Sequence, residues 1–388
     1  MQRSPFEDRL VSTEPICFRD GAVFCAAVFL ALRLALSLVA VLSVGSVTPP
    51  GTAGSGEEVQ TSPGLHNIFD GTDRWDALWF ERIASEGYRS QDASAAFFPG
   101  YPLAIRAVDV VTPLGTPGAA LLVSNASFLG ALIVLYALTT REWDVATAKR
   151  TVVLLGCFPS SFFFLAPYSE SPYLLCSLLA FWWVRQERWG RGAIAGVAAA
   201  ITRSLGVLLV PAFLVEAWRS PDRRRAIAWS LAPLLAPAAY ALYWFISNGH
   251  AMQPLHAQDA WFRTFQLAPI TVVDAIRLGV QGIGNSRGIY WTADLVLTVV
   301  LIAPIFVRWR QVSPTYLVYA GATLLVVLSY PLPARPLLSA PRLLLVLFPC
   351  FWAMALVFRG RTFVLAAAIL ALGWVALSIT FVTWGFVF

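Results

Sequence analysis

Residues 73–88 read DRWDALWFERIASEGY and crowd four acids, two arginines and two tryptophans into an otherwise apolar chain. A carboxylate held at a membrane surface can take the proton from an incoming hydroxyl, which is general-base chemistry. Asp76, Asp73 and the nearby Asp70 compete for that role, and their spacing alone does not rank them. After Gly71 the stretch reads as a helix with Trp75, Trp79 and Ile83 on one face, flanked by Leu78 and Arg82. Aromatics on one side suit a helix lying in the membrane interface. A plainer account makes Asp73 an N-cap and Asp76 its reciprocal capping-box partner, although Glu or Gln is usual there.

The elements that must hold such a carboxylate are built for lipid. The 388 residues are 58% hydrophobic and 13% charged, against ~25% charged in ordinary soluble chains. Long apolar runs recur from residue 21 onward, which reads as one polytopic membrane domain spanning 1–388. The first run, 22–44, is longer than a signal-peptide core of ~7–15 residues and should remain as a span. The net charge of +6 fits Lys and Arg gathered in cytoplasmic loops rather than a nucleic-acid surface. Five cysteines without paired spacing, and His66, His250 and His256 scattered apart, suggest neither disulfides nor a metal site.

Basic clusters at Arg3, Arg9 and Arg19 and in 140–150, 185–192, 219–225, 308–310 and 359–361 are expected on the cytoplasmic side. The spans then fall at 22–44, 117–138, 151–167, 168–184, 226–246, 290–307, 315–330, 343–357 and 362–386. Two short helices, 193–202 and 207–218, turn at RSLG. The expectation is an all-α membrane protein of about eleven segments, with its C-terminus outside. Large extracytoplasmic loops at 46–116 and 248–288 carry interfacial helices, and loops this long are usually functional. Residues 48–64 are rich in Gly, Ser and Pro, which predicts mobility. In AAFFPGYPLAIR (95–106), Pro99 forces Phe98 out of the helical region and starts a short helix sharply. Asn125 heads a glycosylation pattern but falls inside a proposed span.

RWDA, IASEGY and AFFPGYPLAIR resemble the first luminal loop of the PIG-V family, the mannosyltransferases that add the second mannose of the glycosylphosphatidylinositol anchor, with their bacterial relatives. CFPSSFFFLAPYSESPYLLCSLLAFW (157–182), AGVAAAITRSLGVLLVP (195–211) and, more weakly, SAPRLLLVLFP (339–349) are similar to later segments of that family, in order. The resemblance implies a GT-C fold, a polyprenyl- or dolichyl-phosphate-mannose donor, inversion at the anomeric carbon, and a lipid-linked or phosphatidylinositol-type glycan acceptor. The residues agree with a lipid-borne sugar, since no Gly-rich phosphate loop, Rossmann-like unit or Asp-x-Asp element is present.

Asp76, inside the family-like RWDA, becomes the candidate base. The leaving phosphate needs cations in a dry site. Arg203 is the first candidate, because a charge within an apolar run is expensive without a purpose; snorkelling or an ion pair is its rival explanation. Arg342 is the second, with snorkelling equally able to explain it. Glu170, in YSE, either orients the acceptor or pairs with Arg203. Trp75, Arg74, Tyr168 and Asp73 complete the expected site. Arg33, in mid-span, requires a partner that the sequence does not name. His256 and Arg263 belong to a loop that can lid the site. No cofactor or metal is expected, and the partners are the donor lipid, the acceptor lipid and the bilayer. The expected place is a bacterial plasma membrane with the site on its extracytoplasmic face, or the luminal face of the endoplasmic reticulum in a eukaryote. A flippase for a lipid-linked sugar is the alternative; it should carry its charges near the midplane in broken helices, whereas here, Arg33 apart, they lie near the outer surface.

Overall fold

The computed structural model describes residues 15–43, 68, 71–284, 288–383 and 385. Asp70, His66, Arg3, Arg9 and the Gly/Ser/Pro-rich stretch lie outside the described residues. Among those described, the chain is helical, with one isolated antiparallel bridge between Leu332 and Arg335.

The helices are α1 (Pro15–Ser43), α2 (Asp76–Glu86), α3 (Gly100–Val111), α4 (Gly115–Glu142), α5 (Val145–Cys157), α6 (Glu170–Val184), α7 (Trp189–Thr202) and α8 (Leu209–Ala217). They continue as α9 (Arg223–Ser230), α10 (Leu235–Asn248), α11 (Ala268–Gln281), α12 (Ile289–Arg308), α13 (Pro314–Ser329), α14 (Phe348–Val357) and α15 (Arg361–Val382). Five helical runs are long and apolar enough to cross a membrane: Arg19–Ser43, Gly115–Glu142, Arg223–Asn248, Ile289–Gln311 and Arg361–Val382. On α1, Leu30, Leu34, Leu38 and Leu42 recur every four residues on one exposed stripe. Such a stripe is at home against acyl chains. The shorter α6 and α14 lie inside the bundle, with most of their side chains buried. α6 packs most extensively against α7 and α4.

The sequence reading of 151–167 as one continuous span is corrected. α5 stops at Cys157, and residues 158–169 run as turns around the short 3-10 helix Ser161–Phe164. Pro159 and Pro167 punctuate that stretch, and proline cannot donate within a helix. The irregular backbone is almost wholly buried, so its carbonyls need partners. Side chains of α4 and of the first turn of α6 supply them. Asn125 Nδ2 donates to Leu165 O at 3.0 Å, Ser124 Oγ to Tyr168 O at 3.0 Å, and Ser171 Oγ to Phe164 O at 2.6 Å. Arg33 finds its partners here too: Nη1 donates to Leu165 O at 3.5 Å and Nη2 to Ile68 O at 2.5 Å. The start of α6, the end of α7 at Arg203, and the parts of α1, α4 and α15 that meet this turn form one pole of the bundle.

Candidate active site

The approach to α2 is tightly held. Arg74 is fully buried; its Nη1 donates to Asp73 O at 2.8 Å and its Nε to Val382 O at 3.4 Å. Tyr168 Oη donates to Arg74 O at 2.8 Å. Trp75 follows with φ 55°, a region that costs a non-glycine residue about 1–3 kcal/mol and persists only when the surroundings impose it. The next residue is Asp76, the first of α2. The capping-box account is therefore corrected: the N-cap position belongs to Trp75, without a side-chain cap hydrogen bond. The Asp76 carboxylate points elsewhere. Trp79 is part-buried among other side chains. It stacks on Phe97 with centroids 5.5 Å apart, carries Arg82 over its ring, and tilts against Trp261.

Asp76 Oδ2 pairs with Arg342 Nη1 at 2.7 Å. Arg342 Nε reaches Glu170 Oε1 at 2.6 Å, and the same oxygen takes Arg203 Nη1 at 2.7 Å. Arg203 Nη1 also donates to Ser169 Oγ at 2.9 Å. Four charged residues, separated by up to 266 positions, thus form one chain of contacts: Asp76, Arg342, Glu170, Arg203. Their side-chain exposures grade from 0% at Glu170, through 10% at Arg342 and 12% at Arg203, to 26% at Asp76. The buried carboxylate is the hub and Asp76 is the group that reaches the open side.

Each arginine is fixed by its local backbone. Arg203 caps the end of α7 in extended conformation, and the 3-10 turn Ser204–Leu208 returns the chain against the helix. That return is so close that a Cβ on Gly206 would lie 2.3 Å from Ala200 Cα. Gly100 is the second such point, where a Cβ would meet Thr202 N at 2.8 Å. Arg342 sits in the short helix Ala340–Leu343, started by Ser339 at φ 65° and Pro341. Ser160 Oγ donates to Pro341 O at 2.8 Å and ties this helix to the irregular turn. The Arg342 guanidinium lies over the rings of Tyr168 (4.6 Å) and Phe163 (4.9 Å), a cation–π sandwich that limits its motion. Burial opposes its charge, but Glu170 and Asp76 outweigh burial and hold its pKa above the ordinary value.

The structure therefore brings Asp76, Glu170, Arg203, Arg342 and Tyr168 together. Arg74, Trp75 and Asp73 shape the turn ahead of Asp76. His256 is exposed in the turn Gln253–His256 and is not among these contacts. Ser169 and Phe163 were not read as site residues; Ser169 sits between two that were, which was the available signal. Among the described residues, no three His, Cys, Asp or Glu side chains gather as a metal group would require. Chemically, the cluster can hold an anion against guanidinium groups beside a carboxylate able to accept a proton.

The mannosyltransferase (PIG-V) family matches the chain over residues 22–216, just over half its length, including Asp76, Glu170 and Arg203 but not Arg342. Among solved structures, the chain is similar to ArnT from Cupriavidus metallidurans bound to undecaprenyl phosphate, with a TM-score of 0.52 at 13% identity over 88% of this chain. That likeness is one of fold, the GT-C fold. This chain accounts for 62% of the length of ArnT. No match is found among curated proteins.

Proposed function

Since the chain belongs to the mannosyltransferase (PIG-V) family, we propose that it is an inverting membrane glycosyltransferase moving mannose from a polyprenyl-phosphate-mannose donor to a lipid-linked or phosphatidylinositol-type glycan acceptor. The observation that carries the proposal is the cluster itself: a quarter-exposed Asp76 at the rim of two arginines held by one buried carboxylate. In the reaction, the acceptor hydroxyl gives its proton to Asp76 as its oxygen bonds to C1 of the mannosyl group. The bond from C1 to the phosphate oxygen breaks, and polyprenyl phosphate leaves with the electron pair. Arg342 and Arg203 stabilise the negative charge that develops on it, in a site dry enough for that attraction to count. Arg342 fixes Asp76 through Oδ2, which leaves Oδ1 for the acceptor.

The site belongs, in this proposal, to the extracytoplasmic face. Arg185 and Arg188 follow the far end of α6, and Arg141 lies in the last turn of α4, at the pole opposite Glu170. Basic residues concentrate on the cytoplasmic side. The test is transfer of labelled mannose from polyprenyl-phosphate-mannose to a lipid fraction by purified protein. Asp76→Asn should lower the rate by about 10²–10⁴. A fully active variant removes Asp76 as base, and sugar crossing proteoliposomes without a glycosidic product replaces the transferase with a transporter.

A further inference from the structure

The segment between the 3-10 turn Ala257–Trp261 and α11 brings another cation to the site. Phe262, at φ 52°, reverses the chain. Beyond it, Thr264 N donates to Pro331 O at 3.2 Å and Gln266 N to Ser329 O at 3.0 Å. This lays the segment along the loop that leads to Arg342. Arg263 grips that loop: Nη1 donates to Tyr330 O at 3.1 Å and Nη2 to Leu338 O at 3.3 Å. Leu338 immediately precedes Ser339, whose carbonyl accepts Arg342 N at 3.1 Å.

Both hydrogen-bond acceptors of Arg263 are neutral carbonyls. Among the described residues, no carboxylate lies within ion-pairing distance of it, and Asp76, whose charge it feels, already pairs with Arg342. Burial lowers its pKa, the charge of Arg342 lowers it further, and Asp76 offsets part of this. A guanidinium remains charged under such conditions. Asp76, Glu170, Arg203 and Arg342 balance one another in charge, so Arg263, which lies outside that set, adds a positive charge beside Arg342. A half-buried cation held only by carbonyl dipoles is short of an anion.

Building on the transferase reading, we propose that Arg263 is a third phosphate-binding guanidinium, which engages the phosphate of the donor lipid and of the released polyprenyl phosphate beside Arg342. The second outer loop thereby contributes a charge to the site as well as cover. Because the grip on Tyr330 and Leu338 comes from the same fork, Arg263 couples the loop carrying Arg342 to the bound phosphate.

The experiment measures binding of polyprenyl phosphate, uncharged polyprenol of the same length, and inorganic phosphate to full-length protein in nanodiscs. The proteins are wild type, Arg263→Gln, Arg263→Lys and, for reference, Arg203→Gln. Arg263→Gln should weaken polyprenyl phosphate about ten- to a hundredfold, the scale of a lost charge-assisted hydrogen bond. Polyprenol should bind unchanged, and Arg263→Lys should recover most of the affinity. Equal weakening of polyprenol and polyprenyl phosphate would mean that Arg263 only braces the loop, which overturns the proposal. A loss confined to inorganic phosphate would assign Arg263 to free phosphate and overturn it equally. If Arg203→Gln weakens polyprenyl phosphate and Arg263→Gln does not, the transferase reading stands and the role of Arg263 falls. If the wild type does not bind polyprenyl phosphate at all, both fall.

Discussion

The bundle carries two buried charge networks, one at each end of α6, about 22 Å apart at 1.5 Å per residue. They are built in opposite senses. At the far end, one arginine stands between two carboxylates: Arg185 Nε meets Glu142 at 3.0 Å and its Nη1 meets Glu216 at 2.6 Å. Tyr316 Oη donates to Glu142 at 2.9 Å and Thr315 Oγ1 to Glu216 at 2.5 Å, so both acids have further donors. At the site end, one carboxylate stands between two arginines, and an additional acid, Asp76, sits at the rim. The first arrangement ties together α4, α6, α8 and α13 and uses its donors on its own acids. The second keeps guanidinium groups beside an accessible carboxylate, which suits an anionic leaving group. Arginines and carboxylates thus build a brace in one place and, in the proposed reading, the reactive pole in the other, with the sign of the central charge as the difference.

Several measurements can break or sharpen that contrast. The largest effect should come from Asp76→Asn, with transfer falling about 10²–10⁴ while the unfolding midpoint hardly moves, because the side chain is at the rim. Arg185→Met should do the reverse. Leaving two buried acids unpaired should cost about 3–5 kcal/mol of stability, read by thermal or denaturant unfolding, while turnover per folded molecule stays near wild type. Glu170→Gln should show both effects, because it releases Arg203 and Arg342 together; a variant with altered stability alone would demote Glu170 to a brace. Gly206→Ala should cost about 1–3 kcal/mol through overpacking against Ala200 and weaken transfer by displacing Arg203. The smallest effect should be at the surface pair Arg89–Glu86, about half exposed on both sides, where Arg89→Ala should change stability by less than about 1 kcal/mol.

Much of the fold was legible because hydropathy and basic clusters speak directly to crossing a bilayer. The break after Cys157 was hidden, since residues 158–169 are as apolar as a span and a hydropathy window averages over the prolines. Their backbone is satisfied by Arg33, Ser124 and Asn125, contacts that no local pattern announces. The charged residues of the site stood out one by one as charges in apolar surroundings, and their order followed the family resemblance. Their pairing did not stand out: Arg203 reads equally as a snorkelling residue until Glu170 is placed 2.7 Å away. The capping box misled because spacing suggested a helix start at Asp73, whereas Tyr168 and Val382 hold Arg74 in a turn that delays the helix to Asp76. The network around Arg185 left no signal, because its acids lie beside basic loops and read as solvated charges.

The most direct test of the claim that the Glu170 pole is the chemical one is mannose transfer by Asp76→Asn, measured per folded molecule with polyprenyl-phosphate-mannose and alongside binding of polyprenyl phosphate. The account predicts a rate at least about a hundredfold lower with phosphate binding retained. Transfer at the wild-type rate would contradict it.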